Sequence, residues 1–345
     1  MANLKLIVWN MEWMNDLFVA GNGPAEFRRD DEKPFHNPGS TVRERRRDLA
    51  GVINDLAPDI VVSVEGPSRP EELGLFFEMD VAGDWRVGLQ VSPGQSQNIG
   101  IAIRTDTGRF ADEPLKLWDT RDDNRFDPFL EDTDKDGIKE QHKFERRPLY
   151  AEVTPKGGRP FRVLGLHLKS KGIFNSYEWS RWWETADANR KKLLAQTGRI
   201  RARFLDPYLR GDEAGGIPLI VCGDINDGPG MDASEKRLLG SAVERLMGRI
   251  WNPELCLGNA LFDSLSAKDR EELDFSSIYT TSYRDPIFNN VYQRDWIDHI
   301  LYSKCPGEEW VKGGTVDRNM PDGVPIWKKY PHASDHFPVS AELLS

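Results

Sequence analysis

Asp224 and Asn226 stand two residues apart behind Gly223, at the end of the apolar run Pro218-Leu219-Ile220-Val221-Cys222. Such a run reads as a buried strand. In an extended chain, residues i and i+2 point the same way, so this strand delivers a carboxylate and a carboxamide to one spot. A charge at the end of a buried strand is costly unless it has a partner, a metal or a reaction to serve. Gly223 lets the backbone come close to something. Taken alone, Gly-Asp-x-Asn fits an Asx turn closed by Gly228 about as well as a reactive site.

The same pattern recurs. Leu4 to Trp9 is an apolar run ending in Asn10, with Glu12 two residues on. Ile60 to Val64 ends in Glu65, and Trp296-Ile297-Asp298-His299-Ile300-Leu301 carries Asp298 within it. The chain closes with Ser334-Asp335-His336-Phe337-Pro338-Val339. If these strand ends converge, Asn10, Glu12, Glu65, Asp224, Asn226, Asp298, Asp335 and His336 form one acidic pocket. An all-oxygen pocket of carboxylates and carboxamides suits a hard cation, Mg²⁺, Mn²⁺ or Ca²⁺.

The motifs resemble those of the endonuclease/exonuclease/phosphatase superfamily, the DNase I-like proteins. Trp9-Asn10-x-Glu12 comes first, then Glu65 after a hydrophobic strand, Arg146-Arg147-Pro148-Leu149, and His167-Leu168-Lys169-Ser170. Gly223-Asp224-Ile225-Asn226, Asp298 and Ser334-Asp335-His336 follow in the family's order, so the match runs from about Leu4 to Leu343. The resemblance implies a Mg²⁺- or Mn²⁺-dependent phosphodiester hydrolase with Glu65 as a direct metal ligand. Glu12, Asn10 and Asp335 would be its neighbours, some acting through water. It also implies that His336 pairs with Asp298 and serves as general base or as transition-state stabiliser. Asp224 would orient or deprotonate the attacking water. Asn226 and His167 would donate to phosphoryl oxygens, and Arg146 would support substrate or neighbouring acids.

Each of these residues has a plainer reading when isolated. Asp298 could be a satisfied buried acid, His336 a loop histidine and His167 a core histidine. His332 and His336 are four apart, a spacing that binds zinc on a helix, but Pro331 argues for a loop. Lys169 shares a face with His167, and Lys171 follows; ammonium groups there suit a phosphate-rich substrate. Phe174, Tyr177, Trp179, Trp182 and Trp183 could stack bases, although their spacing favours the buried stripe of a helix.

Composition narrows the class. At 345 residues with 39 % apolar content, the chain can bury a substantial core. The net charge of −10 offers nucleic acid no global attraction, though a metal can neutralise phosphate locally. Cys222, Cys256 and Cys305 form no paired framework and no C-x-x-C, so reduced thiols and no structural zinc are expected. No stretch approaches the roughly 20 apolar residues of a membrane span, and the N-terminus lacks a signal-peptide pattern. A cytoplasmic monomer with nucleic acid as substrate is the expectation. A small or lipid phosphate is the alternative, and a non-catalytic binding module on the same fold is disfavoured because no catalytic residue is missing.

The elements that must position these residues follow from periodicity. Thr41 can cap a helix through about Leu56, and residues 71–80 read as a second helix. Residues 85–91 and 98–104 resemble a strand pair. Leu149 to Thr154 and Phe161 to Leu168 read as a hairpin turning at Gly157-Gly158. One long helix is expected over 175–210, with an apolar stripe through Trp179, Trp182, Trp183, Ala186, Leu193, Leu194, Ile200 and Phe204. Its Arg190, Lys191, Lys192, Arg199, Arg201 and Arg203 would form a solvated or phosphate-facing surface. A helix is expected over 232–248, and final strands near 298–302 and 337–343. Two packed sheets flanked by helices fit this order. The expectation is therefore an α+β protein of one domain, 1–345, folded as a four-layer αββα sandwich. Its two sheets would be mostly antiparallel, with insertions near 15–40, 111–145 and 249–290. Within the acidic second insertion, Asp132-Thr133-Asp134-Lys135-Asp136-Gly137 begins like a calcium loop, but its twelfth position is Lys143, not Glu. A structural Ca²⁺ on Asp132, Asp134 and Asp136 would be separate from the catalytic ion.

Overall fold

The computed structural model describes residues 3–94, 96–172, 179–211, 216–228, 233–272, 275, 277–285 and 291–344. In chain order its strands are β1 (Asn3–Asn10), β2 (Ile60–Gly66), β3 (Trp85–Gln90), β4 (Asn98–Arg104), β5 (Phe110–Trp118), β6 (Phe129–Glu131), β7 (Glu140–His142) and β8 (Leu149–Pro155). They continue as β9 (Phe161–His167), β10 (Leu219–Asp224), β11 (Leu257–Asn259), β12 (Thr281–Asp285), β13 (Val291–Asp295), β14 (Asp298–Ser303), β15 (Val311–Val316) and β16 (Val339–Leu344). One six-stranded sheet runs β15-β16-β1-β2-β4-β3, the other β11-β14-β10-β9-β8-β5, and β6-β7 and β12-β13 are separate hairpins.

Strand alternation divides the core into three layers. Leu4, Leu6, Val8, Ile60 and Val62 face Leu149, Ala151, Val163, Ile220 and Cys222 between the sheets. On the other face of the first sheet, Ile7, Trp9 and Val61 pack against helices α1 (Val42–Leu56) and α2 (Pro70–Met79). On the outer face of the second, Leu164, Leu166, Leu219 and Val221 meet α3 (Trp182–Ile200). This is the four-layer αββα architecture expected from the motifs.

One topological feature gathers the site. Each sheet has one parallel pair at its centre, β1 with β2 and β9 with β10. Parallel neighbours end at the same edge, so Asn10, Glu65, His167 and Asp224 leave the sheets together. The flanking partners run antiparallel, so β14 begins where β10 ends, with Asp298 opposite Asp224. β16 pairs antiparallel with β1 and starts three residues after His336. Gly223 sits at φ 130°, where a Cβ would lie 2.0 Å from the Leu166 carbonyl oxygen. The close approach expected of it is thus to the neighbouring strand.

Local signals were accurate where they involved caps. Thr41 and Glu44 form a reciprocal capping box on α1. The long helix runs from Trp182 through α3, a π turn at Arg201–Leu205 and α4 (Asp206–Arg210), closing at Gly211. Its first expected residues, 175–178, lie outside the described residues. Only its second half is deeply buried: Leu193, Leu194, Ile200 and Phe204 are in the core, whereas Trp183 is exposed. The expected helix over 232–248 is two helices, α5 (Ala233–Leu238) and α6 (Ala242–Met247). Leu239 at φ 51° breaks the run, and Ser241 caps the restart. The stretches 111–145 and 249–290 are not wholly inserted, because each supplies a sheet edge, β5 and β11.

Candidate active site

Asn10 is the hub of the cluster. Its Nδ2 donates to Glu65 Oε1 at 3.2 Å and to Asp224 Oδ2 at 3.2 Å, while its Oδ1 accepts from the Glu12 backbone N–H at 2.9 Å. The carboxamide therefore ties one acid from each sheet to the loop after β1. Glu65 Oε2 accepts from the Trp13 N–H at 3.0 Å. Glu12, Trp13, Glu65 and Asn226 all lie at positive φ, between 47° and 58°. Non-glycine residues in that region cost about 1–3 kcal/mol each and collect where geometry matters for function.

Asp224 Oδ1 accepts from the Asn226 N–H at 2.8 Å, closing the turn that the Asx reading anticipated. The turn and the site are the same object. The Asn226 Nδ2 donates to the Leu168 carbonyl at 3.1 Å, which fixes the side chain beside the β9 end. His167 Nε2 stands 3.8 Å from Glu65 Oε1 and 3.9 Å from Asp224 Oδ2.

His336 Nδ1 and Asp298 Oδ2 are 2.8 Å apart, both buried. The Asp298 N–H donates to Thr280 Oγ1, and Ser334 Oγ accepts from the His336 N–H while donating to the Asn10 carbonyl. One carboxylate oxygen each from Asp224 and Asp298 and a nitrogen of His336 lie within 4.8 Å of one another. Asp335, the exposed member, has Oδ1 3.9 Å from His336 Nε2.

Burial and neighbouring charge set the protonation. Burial, with Asp335 and Glu65 adding, pushes Glu12 up to about 7 despite Arg45. Burial and Asp298, with Glu65 adding, push Asp224 up to about 7. Burial opposes a charge on His336, yet Asp298, Asp335 and Asp224 hold its imidazole well above the usual histidine range. His167 goes the other way: burial, then Arg146 and His336, keeps it neutral. The carboxylates crowd one another without enough positive charge among them, and Asp298 Oδ1 is buried with no hydrogen-bond partner among the described residues. Asp224 and Asp298 converge with His336 closely enough to hold a divalent cation, and Asn10 links Glu65 to Asp224 beside them.

The residues expected to touch substrate divide. Arg146 donates twice to Gln97 Oε1, at 3.1 and 2.7 Å, and is close enough to depress His167. Lys169 is half-buried, and burial lowers its ammonium, with Arg146 adding and Glu145 opposing. Lys171 is committed elsewhere: its Nζ is 2.8 Å from Asp227 Oδ1. Most of the basic run on α3 and the π turn after it is tied internally, while Lys192 and Arg203 are exposed to solvent. Arg190 is buried on Asp227, Lys191 pairs with Asp134, and Arg199 and Arg201 donate to backbone carbonyls. Phe174 and Tyr177 lie outside the described residues. Asp132, Asp134 and Asp136 do converge, with one carboxylate oxygen each within 4.8 Å of the others, on the β6–β7 turn.

Sequence reasoning missed Arg45 and Asp227. Arg45 is 2 % exposed. It donates to Glu12 Oε2 at 3.2 Å, to the Glu12 carbonyl, and to the Met11 and His332 carbonyls. The signal was present: Arg45 shares the stripe of Val42, Leu49 and Val52, so an arginine on the apolar face of α1 called for a buried acceptor. Asp227 follows Asn226, and its two oxygens take Lys171, Arg190 and the Ala242 N–H, while its carbonyl accepts from His299 Nε2 at 2.8 Å. This network braces the turn from behind.

No protein-family profile matches the chain, and no curated protein does. Solved structures similar to it include an endonuclease/exonuclease/phosphatase from Bacteroides vulgatus, at 14 % identity and TM-score 0.49, covering 100 % of this chain and 99 % of that one. The human Nocturnin catalytic domain is similar at 16 % identity and TM-score 0.46, covering 99 % and 93 %. Truncated Caenorhabditis elegans TDP2 is similar at 12 % identity and TM-score 0.48, covering 99 % and 98 %.

Proposed function

We propose that this protein is a divalent-metal-dependent phosphodiester hydrolase acting as a nuclease on DNA or RNA. The observation that carries the reading is the Asn10 carboxamide holding Glu65 and Asp224 together beside the buried His336–Asp298 pair. When bound at Glu65, with Glu12, Asn10 and Asp335 around it, Mg²⁺ or Mn²⁺ would supply charge neutralisation at the phosphoryl oxygens.

The chain's own groups supply the rest. Asp224, with its carboxyl pushed up to about 7, is a stronger base than an ordinary aspartate and receives the proton of the attacking water. His336 is held charged by Asp298 through Nδ1. Its Nε2–H is then free to stabilise the negative charge that builds on the phosphorus oxygens, so the stabiliser role is favoured over general base. Asn226 spends one N–H on Leu168 and keeps the other for a phosphoryl oxygen. Neutral His167 adds a further donor, and Arg146 with Lys169 carries positive charge beside it. Water oxygen bonds to phosphorus, an ester P–O bond breaks, and the products are an alcohol and a phosphomonoester.

Plasmid and oligonucleotide degradation should require Mg²⁺ or Mn²⁺ and stop with EDTA. Asp224→Ala, Glu65→Ala and His336→Ala should each abolish turnover with circular dichroism unchanged; full activity in those variants would refute the reading.

A lipid phosphate is the second reading, favoured by Leu239, Ile250 and Trp251, which are 89 %, 79 % and 84 % exposed. Activity on phospholipid vesicles but not on nucleic acid would select it. A structural Ca²⁺ at Asp132, Asp134 and Asp136 would share Asp134 with Lys191, whose Nζ is 2.5 Å from Oδ2.

A further inference from the structure

Three aromatic rings stand at the rim of the acidic cluster and have no part in its chemistry. Trp13 follows Glu12 directly, and its N–H holds Glu65 Oε2 at 3.0 Å. Its indole stacks on His36, with ring centroids 3.6 Å apart and planes within 7°. Phe35 meets His36 edge-on, at 4.9 Å and 83°, and is 80 % exposed.

The arrangement is anchored. Asp16 Oδ2 accepts from both the His36 N–H at 2.8 Å and its Nδ1 at 2.9 Å. The Asp16 N–H in turn donates to the Trp13 carbonyl at 3.0 Å. Two ends of a long loop, residues 13–16 and 35–36, are thus fixed to each other and to a carboxylate of the reaction centre. An exposed phenylalanine by itself is ordinary. Here it abuts edge-on a preformed Trp13–His36 stack whose base is one residue from Glu12.

We propose that Trp13, His36 and Phe35 form a stacking subsite for an unpaired nucleobase next to the scissile phosphate of a single-stranded nucleic acid. The inference rests on the phosphodiesterase reading and deepens it by naming the strand state of the substrate. Flat rings take any base by its π-face and discriminate little among sequences. In a duplex, bases already stack on their neighbours, so a free ring at the rim gains most from a strand with unpaired bases. Phe35, edge-on to His36 and 80 % exposed, keeps ring surface available to a base.

The test uses the full chain and single-stranded oligonucleotides carrying 2-aminopurine, or an abasic tetrahydrofuran, at each position flanking the cleavage site. In the wild type, binding should quench 2-aminopurine at one flanking position. The base-bearing strand should be preferred over the abasic one by about tenfold in kcat/KM. Phe35→Ala, an exposed truncation that leaves the core intact, should bring that ratio close to one and abolish the quench; His36→Ala should do the same. An unchanged ratio and quench in both variants would overturn the subsite, as would a wild type with no base preference that still cleaves the strand. That last result leaves the hydrolase reading standing. A protein that hydrolyses no phosphodiester under any metal would overturn the hydrolase reading and, with it, a subsite beside a scissile phosphate.

Discussion

Asn10 and Asp224 are 214 residues apart in sequence and joined by a 3.2 Å hydrogen bond across the sandwich. The same Asn10 Nδ2 donates to Glu65 on its own sheet, so one carboxamide sets the spacing of two acids that would otherwise repel. Asn10→Ala removes this spacer and leaves both carboxylates in place. Mn²⁺ affinity, read by calorimetry, should fall about 10–100-fold, the usual effect of losing a group that orients a metal ligand. Turnover should fall with it and recover in part at high Mn²⁺. Unchanged affinity would mean that the two acids are positioned by their strands alone.

His336 depends on Asp298 in a different way. The carboxylate fixes the imidazole through Nδ1 and sustains its charge. Asp298→Asn keeps the shape and removes the charge. We expect kcat to drop by about 10²–10⁴, with KM for substrate changed little and thermal stability close to wild type. A loss confined to KM would instead place the pair in substrate binding.

The parts of this molecule legible in the sequence are those whose information is local. Strand ends in β1, β2 and β10 announce themselves because a buried apolar run closes on an amide or an acid, and β14 because its apolar run opens on Asp298. The α1 cap is legible because Thr41 and Glu44 sit three residues apart. Of the four edge strands of the six-stranded sheets, β3 was legible but β5, β11 and β15 were not. β5 reads Phe-Ala-Asp-Glu-Pro-Leu-Lys-Leu-Trp, with a proline and polar residues that an edge tolerates, and its pairing slips between Phe110 and Leu115. β15 contains two glycines and a register shift of its own. Partners of buried charges were also hidden, because Asp227 finds Arg190 and Lys171 through tertiary packing, at separations of 37 and 56 residues. For that reason the basic residues of α3 read as a solvated or phosphate-facing surface, whereas Arg190, Lys191 and Arg199 are internal ties.

Arg190 is the clearest of those ties. It is fully buried, and its guanidinium meets Asp227 one residue from Asn226. Arg190→Met leaves Asp227 short of a charge partner in the core, a change that costs about 3–5 kcal/mol when a buried pair is broken. The urea midpoint should move accordingly. Where the variant stays folded, activity should fall as well, because the Asn226 turn loses its brace. A shift below about 1 kcal/mol would show that Lys171 and the Ala242 N–H suffice for Asp227.

The other side of the same network makes stability depend on pH. His299 donates from Nε2 to the Asp227 carbonyl and accepts at Nδ1 from Asn259 Nδ2 at 3.2 Å, so it is neutral in the fold. Burial lowers it from 6.5 to about 4. Above pH 6.5 the folded and unfolded chains both carry it neutral, and it adds no penalty. As pH falls toward 4 the unfolded chain takes up a proton that the folded one refuses, so stability drops across that window and levels below it. The loss from this group is on the order of 3 kcal/mol. In His299→Gln the non-titrating amide removes that slope, whatever other groups do. Urea unfolding of both proteins from pH 7.5 to 4 should therefore show curves that draw together as pH falls, with wild type losing more. Parallel curves would mean that the His299 pocket admits the proton, and that its burial does not hold the imidazole neutral.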